Sequence, residues 1–314
     1  MMKINNSYRV IMLVFLLLGT IEVSFAQREA QYTQYMYNTT MINPAYAGSR
    51  EALSIFGGHR NQWVGLDGAP VTNSFSLHTP FREGSKVGLG VSFMNDAIGP
   101  SDFNSLSADF SYTIDAGPNS KIAFGLKGTV NLLNVDYTKL SIYDPSDPRF
   151  QNNIDNRFSP NVGAGVYWYG ERFYAGFSVP NFLETKFYEG NKESVVVDKM
   201  HYYLMGGYVL DISDNIKFKP AVLAKMVPGS PLQTDVSANF MFLNKFTLGA
   251  AWRWDAAVSA MAGFQISDRI FVGYAYDAET TQLADYNSGS HEILLRFELI
   301  NLSKIDRVIS PRFF

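Results

Sequence analysis

The stretch Val87-Gly88-Leu89-Gly90-Val91-Ser92-Phe93 alternates strictly between large apolar residues and glycine or serine. Because successive side chains of a β-strand point to opposite faces, the pattern puts Val, Leu, Val and Phe on one face and the small residues on the other. The same period of two recurs almost everywhere from Leu53 onward, for example over Leu106 to Ile114 and Ile293 to Leu299. No helical period is sustained in this part of the chain. The sequence therefore predicts an all-β fold.

Runs of this kind give about 14 predicted strands. They cover residues 53–60, 72–80, 86–95, 103–115, 120–131, 160–169, 172–180, 201–211, 215–226, 232–243, 245–254, 257–267, 269–277 and 290–300. Most are about 9 to 12 residues long, close to the length that a tilted strand needs to cross a bilayer, whereas typical strands of soluble proteins have about 5 to 6 residues. Strand length therefore favours a transmembrane barrel over the alternative, a large soluble β-sandwich.

The links between the predicted strands differ in length on the two sides. Even-numbered links are tight, as at Asp115 to Asn119 and at Ser267-Asp268, and the long links are all odd-numbered. Short turns on one rim and long loops on the other are typical of outer-membrane barrels, whose short turns face the periplasm. An even strand count then places both ends of the chain on the periplasmic side. Two odd-numbered links, around Pro228 and Asp255, are short, so the strand count stays open at those two points.

Charged residues in the predicted strands fall on the face that lacks the aromatic residues. They are Lys127, Lys217, Lys219, Lys225, Asp235, Arg253, Asp255, Arg296 and Glu298. A lysine or arginine facing lipid at the bilayer midplane costs about 2 to 4 kcal/mol, so this face is expected to line the lumen. The same face carries many Gly, Ala and Ser residues, which predicts that a plug or a folded-in loop packs against the wall.

Composition agrees with a two-faced membrane sheet. The chain is 46% hydrophobic, 15% aromatic and 18% charged, with a formal net charge of −3. Soluble domains carry about 25% charged residues. The mean hydropathy of −0.06 is too low for a bundle of membrane helices. The near-neutral balance provides no basic surface for nucleic acid, and the absence of Cys excludes disulfides and thiolate metal sites.

The domain organisation starts with a targeting segment. Lys3 and Arg9 precede an apolar run from Val10 to Leu18, and Ser24-Phe25-Ala26 is a small-x-small cleavage signal. The run is too short for a membrane helix of about 20 residues, so a cleaved signal peptide is favoured over a retained anchor. We therefore expect a signal peptide over residues 1–26, an N-terminal periplasmic or plug segment over 27–52, and a barrel domain over 53–314 located in the outer membrane.

The stretch from Gln31 to Arg50 differs from the strands. It begins dense in Tyr and Gln, alternates poorly, and breaks into a turn at Asn43-Pro44-Ala45. With both ends of the chain facing the periplasm, this stretch is expected at or inside the barrel mouth. Two interpretations stay open, an ordinary lead-in to the first strand and a plug or docking segment.

Residue patterns for catalysis, metal binding or cofactor binding are missing from the sequence. The four histidines, His59, His78, His201 and His291, show no metal-ligand spacing, and no Gly-x-Ser-x-Gly elbow or phosphate-binding glycine loop occurs. A hydrolase of the outer wall would need a Ser and a His facing outward. Ser76 and His78 share a face, but the alternation places it inward. We therefore predict no enzyme, no cofactor and no metal site.

The segment Gln34-Tyr35-Met36-Tyr37-Asn38, followed by Ile42-Asn43-Pro44-Ala45-Tyr46-Ala47-Gly48, resembles the opening signature of the PorP/SprF family of type IX secretion and gliding-motility systems. The similarity continues in order through further motifs. They are Arg60 to Gly65, Gly68-Ala69-Pro70, His78-Thr79-Pro80, Asn95 to Pro100, Ser178 to Asn181, Tyr274 to Asp277, Ser288 to Glu292 and Ser310 to Phe314. The terminal Phe313-Phe314 is similar to the family's aromatic tail, with Phe313 where Tyr is expected.

The resemblance implies an outer-membrane barrel that helps to export or retain surface proteins, such as adhesins with a C-terminal sorting domain. It also implies periplasmic and outer-membrane secretion components as partners, including a peptidoglycan-binding protein, and contact with outer-membrane lipid. No catalytic residues carry over from the family. The alternative function is a diffusive outer-membrane channel or small-solute transporter, which predicts an open lumen lined by charge.

Two groups of residues are the candidates for protein contacts. Asn43, Pro44, Tyr46 and Gly48 are expected to position the N-terminal segment. Arg60, Asn61, Gln62 and Trp63, at the first outer loop, are predicted either to face the partner or to pin that loop inward.

Overall fold

The computed structural model describes residues 31–143, 147, 152–186 and 197–299. These residues form a closed antiparallel β-barrel of 14 strands, as predicted. The strands in chain order are β1 Leu53–Asn61, β2 Val71–Pro80, β3 Val87–Ile98, β4 Ser101–Gly117, β5 Ser120–Val135, β6 Ile154–Gly170, β7 Phe173–Val179, β8 Thr185–Lys186, β9 Val197–Asp198, β10 Tyr202–Tyr208, β11 Leu210–Ser213, β12 Ile216–Met226, β13 Gln233–Phe242, β14 Phe246–Arg253, β15 Ala257–Ser267, β16 Ile270–Glu279 and β17 Ser290–Leu299.

The 17 strand elements give 14 barrel strands for two reasons. Two elements lie outside the barrel sheet, and two others together form one barrel strand. The short β8 and β9 pair with each other in a separate sheet, and β11 continues β10 along the same neighbour, β12. Each remaining strand pairs with the next one along the chain. Pairing of β1 with β17, from Leu53 with Leu299 to Asn61 with His291, closes the barrel. Both ends of the barrel therefore lie on the same rim.

The three longest strands, β4, β5 and β6, exceed their predicted lengths the most. β4, β5 and β6 have 17, 16 and 17 residues, because β5 continues to Val135 and β6 begins at Ile154. The extension is held by a small apolar cluster, in which Leu133, Val135 and Tyr137 are buried against Phe103 and Ile154. The link between β5 and β6 is accordingly shorter than expected.

The two rims differ as predicted. The even-numbered links are short, at residues 81–86, 118–119, 171–172, 214–215, 243–245 and 268–269. The odd-numbered links cover 62–70, 99–100, 136–153, 180–201, 227–232, 254–256 and 280–289. The short links around Pro228 and Asp255 are thus true connections on the odd side. The two sides are called here the short-turn rim and the long-loop rim.

The two faces of the wall also follow the alternation. On β4, Leu106, Phe110 and Tyr112 are exposed on the outside, while Ser107 and Asp109 are buried inside. Most of the charges predicted for the lumen are buried there, namely Lys127, Lys219, Lys225, Asp235, Arg253, Arg296 and Glu298. The prediction for Asp255 was wrong: this residue lies exposed in the link 254–256 with a φ of 52°. A tight turn replaces the end of the strand there.

Among the described residues, no helix has the length and the apolar composition that a membrane-crossing helix requires. The predicted signal peptide, residues 1–26, and the aromatic tail, residues 310–314, lie outside the described residues.

Candidate functional site: the lumenal segment and the long-loop rim

Residues 31–50, named here the lumenal segment, lie inside the barrel. They form a 3-10 turn at Tyr35–Tyr37, one helical turn at Thr39–Ile42 and a second 3-10 turn at Pro44–Tyr46. Such short turns satisfy their own backbone groups in part, and wall side chains supply further partners. Asn43 and Ala45 are fully shielded from solvent at 0% exposure. The sequence signal for this placement was the excess of small inward residues on the wall.

One end of the lumenal segment is held by ion pairs at the level of the long-loop rim. The guanidinium of Arg60 on β1 lies 2.6 Å from Asp277 on β16 and 3.0 Å from Glu292 on β17. The Thr33 hydroxyl donates to Asp277 at 2.7 Å, and the backbone N–H groups of Thr33 and Gln34 donate to the Glu292 carboxylate at 2.8 and 3.0 Å. The carboxylates thus bind a wall cation and the segment backbone together.

A second ion pair extends this group, named here the outer ion cluster, around the lumen. Arg253 at the end of β14 pairs with Asp235 on β13 at 2.9 Å and reaches to 4.0 Å from Asp277. The same guanidinium donates to the Gln31 side-chain oxygen at 3.2 Å. Buried charges are stable only when paired and hydrogen-bonded, and the cluster meets that requirement through strands and segment jointly.

The other end of the lumenal segment is held near the short-turn rim. The guanidinium of Arg50 forms an ion pair with Glu298, near the end of β17, and donates to the Tyr46 hydroxyl at 3.4 Å. The Gly48 N–H donates to His78 Nδ1 on β2 at 3.2 Å. The Tyr46 ring meets the His78 ring edge to face, with 5.4 Å between the ring centroids. This end is therefore fixed by both charge and ring packing.

Between its ends, the lumenal segment is held by wall groups that donate to its backbone carbonyls. The hydroxyls of Ser178 and Ser111 donate to the carbonyls of Ile42 and Ala47, each at 2.7 Å. Lys127, which pairs with Asp109 at 2.8 Å, also donates to a segment carbonyl, that of Thr40, at 3.3 Å. Inward serines and a lysine thus replace the water that would otherwise solvate this backbone.

Close contact between segment and wall depends on glycine. A Cβ at Gly125 on β5 would lie 2.1 Å from the backbone nitrogen of Ala45. At Gly48, φ is +74° and a Cβ would lie 2.8 Å from the Cα of Gly88 on β3. Side chains larger than hydrogen do not fit at these distances, so the wall glycines set how closely the segment packs.

The first group of predicted contact residues lies in the middle and at the inner end of the lumenal segment. The Asn43 side chain donates to the Val166 carbonyl at 3.1 Å and accepts from the Ala45 N–H at 3.0 Å, which closes the turn that Pro44 begins. Tyr46 and Gly48 make the ring and backbone contacts with His78 described above. The structure brings these four residues together against β2, β3, β5 and β6.

The second group is divided between the lumen and the long-loop rim. Arg60 and Gln62 are buried, Arg60 within the outer ion cluster. Asn61 ends β1 opposite Val71 and His291. The indole N–H of Trp63 donates to Glu279 at 2.6 Å, and the neighbouring Val64 exchanges backbone hydrogen bonds with the link 280–289. These contacts join the first outer loop to the last.

Several residues that hold the lumenal segment were not among the predicted site residues, and Thr33, Asp277 and Glu292 are examples. Asp277 and Glu292 each end a motif that carries the family resemblance, Tyr274 to Asp277 and Ser288 to Glu292. Their inward phase in the alternation was a usable signal. The sequence carried no such signal for Thr33, because its role depends on contacts with residues more than 200 positions away.

The long-loop rim displays apolar side chains outside the strands. The exposed large apolar residues in its links are Leu66, Leu140, Tyr143, Phe182, Leu183, Leu232, Trp254 and Tyr286. Within the described residues, the links of the short-turn rim expose Phe81 and Leu243. Groups of exposed apolar side chains are typical of protein contact surfaces.

A family model described as type IX secretion system membrane protein PorP/SprF matches residues 24–297. Among solved structures, the chain is similar to one described as the CymD monoaromatic hydrocarbon channel, with 12% identity, a TM-score of 0.50, and coverage of 88% of this chain and 95% of that chain. It is also similar to the outer membrane protein Omp33 of Acinetobacter baumannii, with 9% identity, a TM-score of 0.47, and coverage of 80% and 100%.

At 12% identity, the likeness to the CymD structure concerns the fold alone, an outer-membrane barrel. No sequence among the curated proteins matches the chain.

Proposed function

Because the chain belongs to the PorP/SprF family of type IX secretion system membrane proteins, we propose that it is an outer-membrane docking protein. It supports the export, binding or surface anchoring of a partner protein that carries a C-terminal sorting domain. The mechanism is protein–protein contact, with no catalytic step. In this role it would serve surface adhesion or gliding motility.

The observation that carries this proposal is the apolar surface of the long-loop rim. Tyr286 is 69% exposed at the end of the 3-10 turn Gln282–Tyr286, and Phe182 and Leu183 are exposed in the link after β7. Exposed aromatic residues are common anchors in protein interfaces, because they bury a large area at low conformational cost. In an outer-membrane barrel the long loops face the cell surface, where an exported partner arrives.

The filled lumen supports docking over the alternative, a diffusive channel or small-solute transporter. The lumenal segment forms hydrogen bonds with β1, β2, β4, β5, β6, β7, β14, β16 and β17. A diffusive channel needs a wide aqueous path through the lumen, whereas these contacts place buried side chains across the lumen. The wall glycine at position 125 favours a segment that stays packed.

The candidate residues take positioning roles in this proposal. Asn43, Pro44, Tyr46 and Gly48 hold the lumenal segment against the wall. Arg60 and Gln62 are buried, so they support the first outer loop from below and do not meet the partner directly. Asn61 and Trp63 join that loop to the link 280–289, which presents Tyr286.

The short-turn rim offers a surface for periplasmic secretion components, including a peptidoglycan-binding protein. A cavity of about 230 Å³ lies beside Gly48 where the lumenal segment leaves the barrel, and Glu51, Glu83, Lys86 and Lys121 line it. Charges of both signs suit a polar protein contact. This surface would connect the barrel to the secretion apparatus below it.

The test is affinity purification of the tagged protein from detergent-solubilised outer membranes, with mass spectrometry of the proteins that accompany it. We expect a large exported protein with a C-terminal sorting domain, together with periplasmic secretion components. Planar-bilayer recordings of the same preparation are expected to show a closed barrel. A barrel that purifies alone and conducts ions would overturn the proposal in favour of the channel.

A further inference from the structure

A cavity of about 70 Å³ lies inside the barrel, between the wall and the lumenal segment. Its wall residues include Asp96 near the end of β3, Phe103 near the start of β4 and Asn131 near the end of β5. These strand ends adjoin odd-numbered links, so the cavity lies on the side of the long-loop rim. It is named here the outer-lumen pocket.

The lumenal segment closes the outer-lumen pocket on its inner side. Met41 and Ile42 of this segment line the pocket. Lys127 also lines it and donates to the Thr40 carbonyl at 3.3 Å. On β5, Lys127 lies further from the long-loop rim than Asn131 does. A ligand that enters from the long-loop rim would therefore be held in the pocket and would not pass through the barrel.

The link after β7 forms one side of the pocket and is fixed to the wall. Pro180 and Asn181 line the pocket. The Asn161 side chain on β6 donates to the Leu183 carbonyl at 2.8 Å and accepts from the Leu183 N–H at 2.9 Å. Phe182 and Leu183, which directly follow the lining residues, are exposed. The fixed backbone thus presents two apolar side chains next to the pocket.

Asn131 provides the pocket with a hydrogen-bond donor that the described residues do not use. Its side chain is 2% exposed, and no atom in the described part of the chain accepts a hydrogen bond from its Nδ2. Buried amide groups are normally paired, so this donor indicates a partner from outside the chain. Met94 and Phe103, which also line the pocket, are half-buried and leave apolar surface for a ligand to cover.

The charges of the pocket favour an uncharged ligand group. Lys127 pairs with Asp109 at 2.8 Å, so its charge is already balanced. The Asp96 carboxylate accepts from the Thr72 hydroxyl at 2.6 Å and also lines the pocket. A carboxylate or phosphate of a ligand would be repelled by Asp96. A peptide group in mid-chain is neutral, and it offers a carbonyl to Asn131 and an N–H to the carboxylate.

We propose that the outer-lumen pocket receives an apolar side chain from an internal, uncharged stretch of the exported partner. The Asn131 amide donates to a backbone carbonyl of that stretch, and Met94 and Phe103 contact the inserted side chain. Phe182 and Leu183 contact the partner residues that stay outside the pocket. This inference rests on the function proposed above, and it specifies where the partner enters the barrel and by which chemistry it is held.

Thiol protection tests whether the partner occupies the pocket, since the native chain contains no cysteine. Ser105→Cys places a thiol of nearly the same size in the pocket lining, and Asp67→Cys places one on the long-loop rim. The probe is a small, membrane-impermeant methanethiosulfonate reagent on intact cells. Ser105→Cys should react in cells unable to export type IX cargo and several-fold more slowly in cells that export it. Equal rates would overturn the inference, as would an unreactive Ser105→Cys beside a reactive Asp67→Cys.

Asn131→Leu distinguishes insertion into the pocket from mere covering of the barrel mouth. The variant removes the unpaired donor at similar volume, so the unfolding midpoint should not fall, whereas recovery of the sorting-domain partner in affinity purification should drop several-fold. Asn239→Leu is the matched control, because Asn239 is 1% exposed and its side chain donates to Ser237 Oγ at 3.2 Å. It should lower the midpoint and leave recovery per folded barrel unchanged. A lower midpoint or native recovery for Asn131→Leu would overturn its assigned role.

Failure of this inference differs from failure of the proposed function. If the native barrel recovers the sorting-domain partner, but Ser105→Cys is not protected and Asn131→Leu recovers as much partner, the partner binds outside the pocket and the proposed function stands. If the native barrel recovers no such partner, the proposed function and this inference are overturned together.

Discussion

The guanidinium of Arg60 lies 2.6 Å from the carboxylate of Asp277, and both side chains are almost completely shielded from solvent. Arg60 belongs to β1 and Asp277 to β16, so the ion pair reaches across β17, which pairs with both strands. Glu292 on β17 and Thr33 of the lumenal segment share the same guanidinium. One cation thus links the closure of the barrel to the position of the segment inside it.

Replacing Arg60 with methionine should be strongly destabilising. Asp277 and Glu292 would lose their shared cation, and an uncompensated buried charge costs about 3 to 5 kcal/mol. The free energy of unfolding, measured by urea titration of tryptophan fluorescence in detergent, is the quantity to compare. Arg172→Met is the control, because Arg172 pairs with Asp211 at 2.6 Å with its side chain 54% exposed, and such pairs contribute about 0 to 1 kcal/mol. Similar losses in both variants would contradict this role for Arg60.

Adding one methyl group at Gly125 should disturb the packing of the lumenal segment. The new Cβ would lie 2.1 Å from the Ala45 nitrogen, so either the segment moves or the wall distorts, at a cost of about 1 to 3 kcal/mol. Gly128→Ala on the same strand is the matched control, because a Cβ there meets nothing within 4 Å. Unfolding midpoints and protease cleavage within the segment report the difference. Equal behaviour of Gly125→Ala and Gly128→Ala would show that the segment is not seated as described.

Trp63→Phe should loosen the long-loop rim without opening the barrel. The substitution removes the donor of the 2.6 Å hydrogen bond to Glu279, a bond to a charged acceptor that contributes about 1.5 to 3 kcal/mol. Faster proteolysis of the links 62–70 and 280–289 is the expected result. Leu66→Ala, at an exposed position in the same loop, should leave the rate near that of the native protein. An unchanged proteolysis rate for Trp63→Phe would show that this hydrogen bond does not order the two loops.

Tyr286→Ala should reduce recovery of the exported partner in affinity purification. Truncation of an aromatic anchor typically costs about 2 kcal/mol or more of binding free energy. Phe81→Ala serves as the control, since Phe81 is equally exposed but lies on the short-turn rim. Both variants should retain the native unfolding midpoint. Loss of the partner with Phe81→Ala, and not with Tyr286→Ala, would move the contact surface to the periplasmic side.

Much of this architecture could be predicted from local pattern. The alternation at Val87 to Phe93, repeated along the chain, assigns the strands and their two faces, because lipid admits apolar side chains and excludes charges. The alternation of short and long links assigns the rims. The buried positions of Lys127, Lys219 and Arg296 follow from the same phase.

Other features depend on contacts between distant parts of the chain. The lumenal segment has no regular period, so no pattern showed its direction, and its partners Arg60, Asp277 and Glu292 come from three different strands. The extension of β5 and β6 depends on the cluster of Leu133, Val135 and Tyr137, which assembles only when those strands pair. The sequence by itself determined the strands of the wall and their two faces. Each strand shows this separately, because its side chains face lipid on the outside and polar groups on the inside. The tertiary structure decided that the lumenal segment fills the barrel and in which direction it runs. Both features depend on charged residues of different strands, which only the closed barrel brings together.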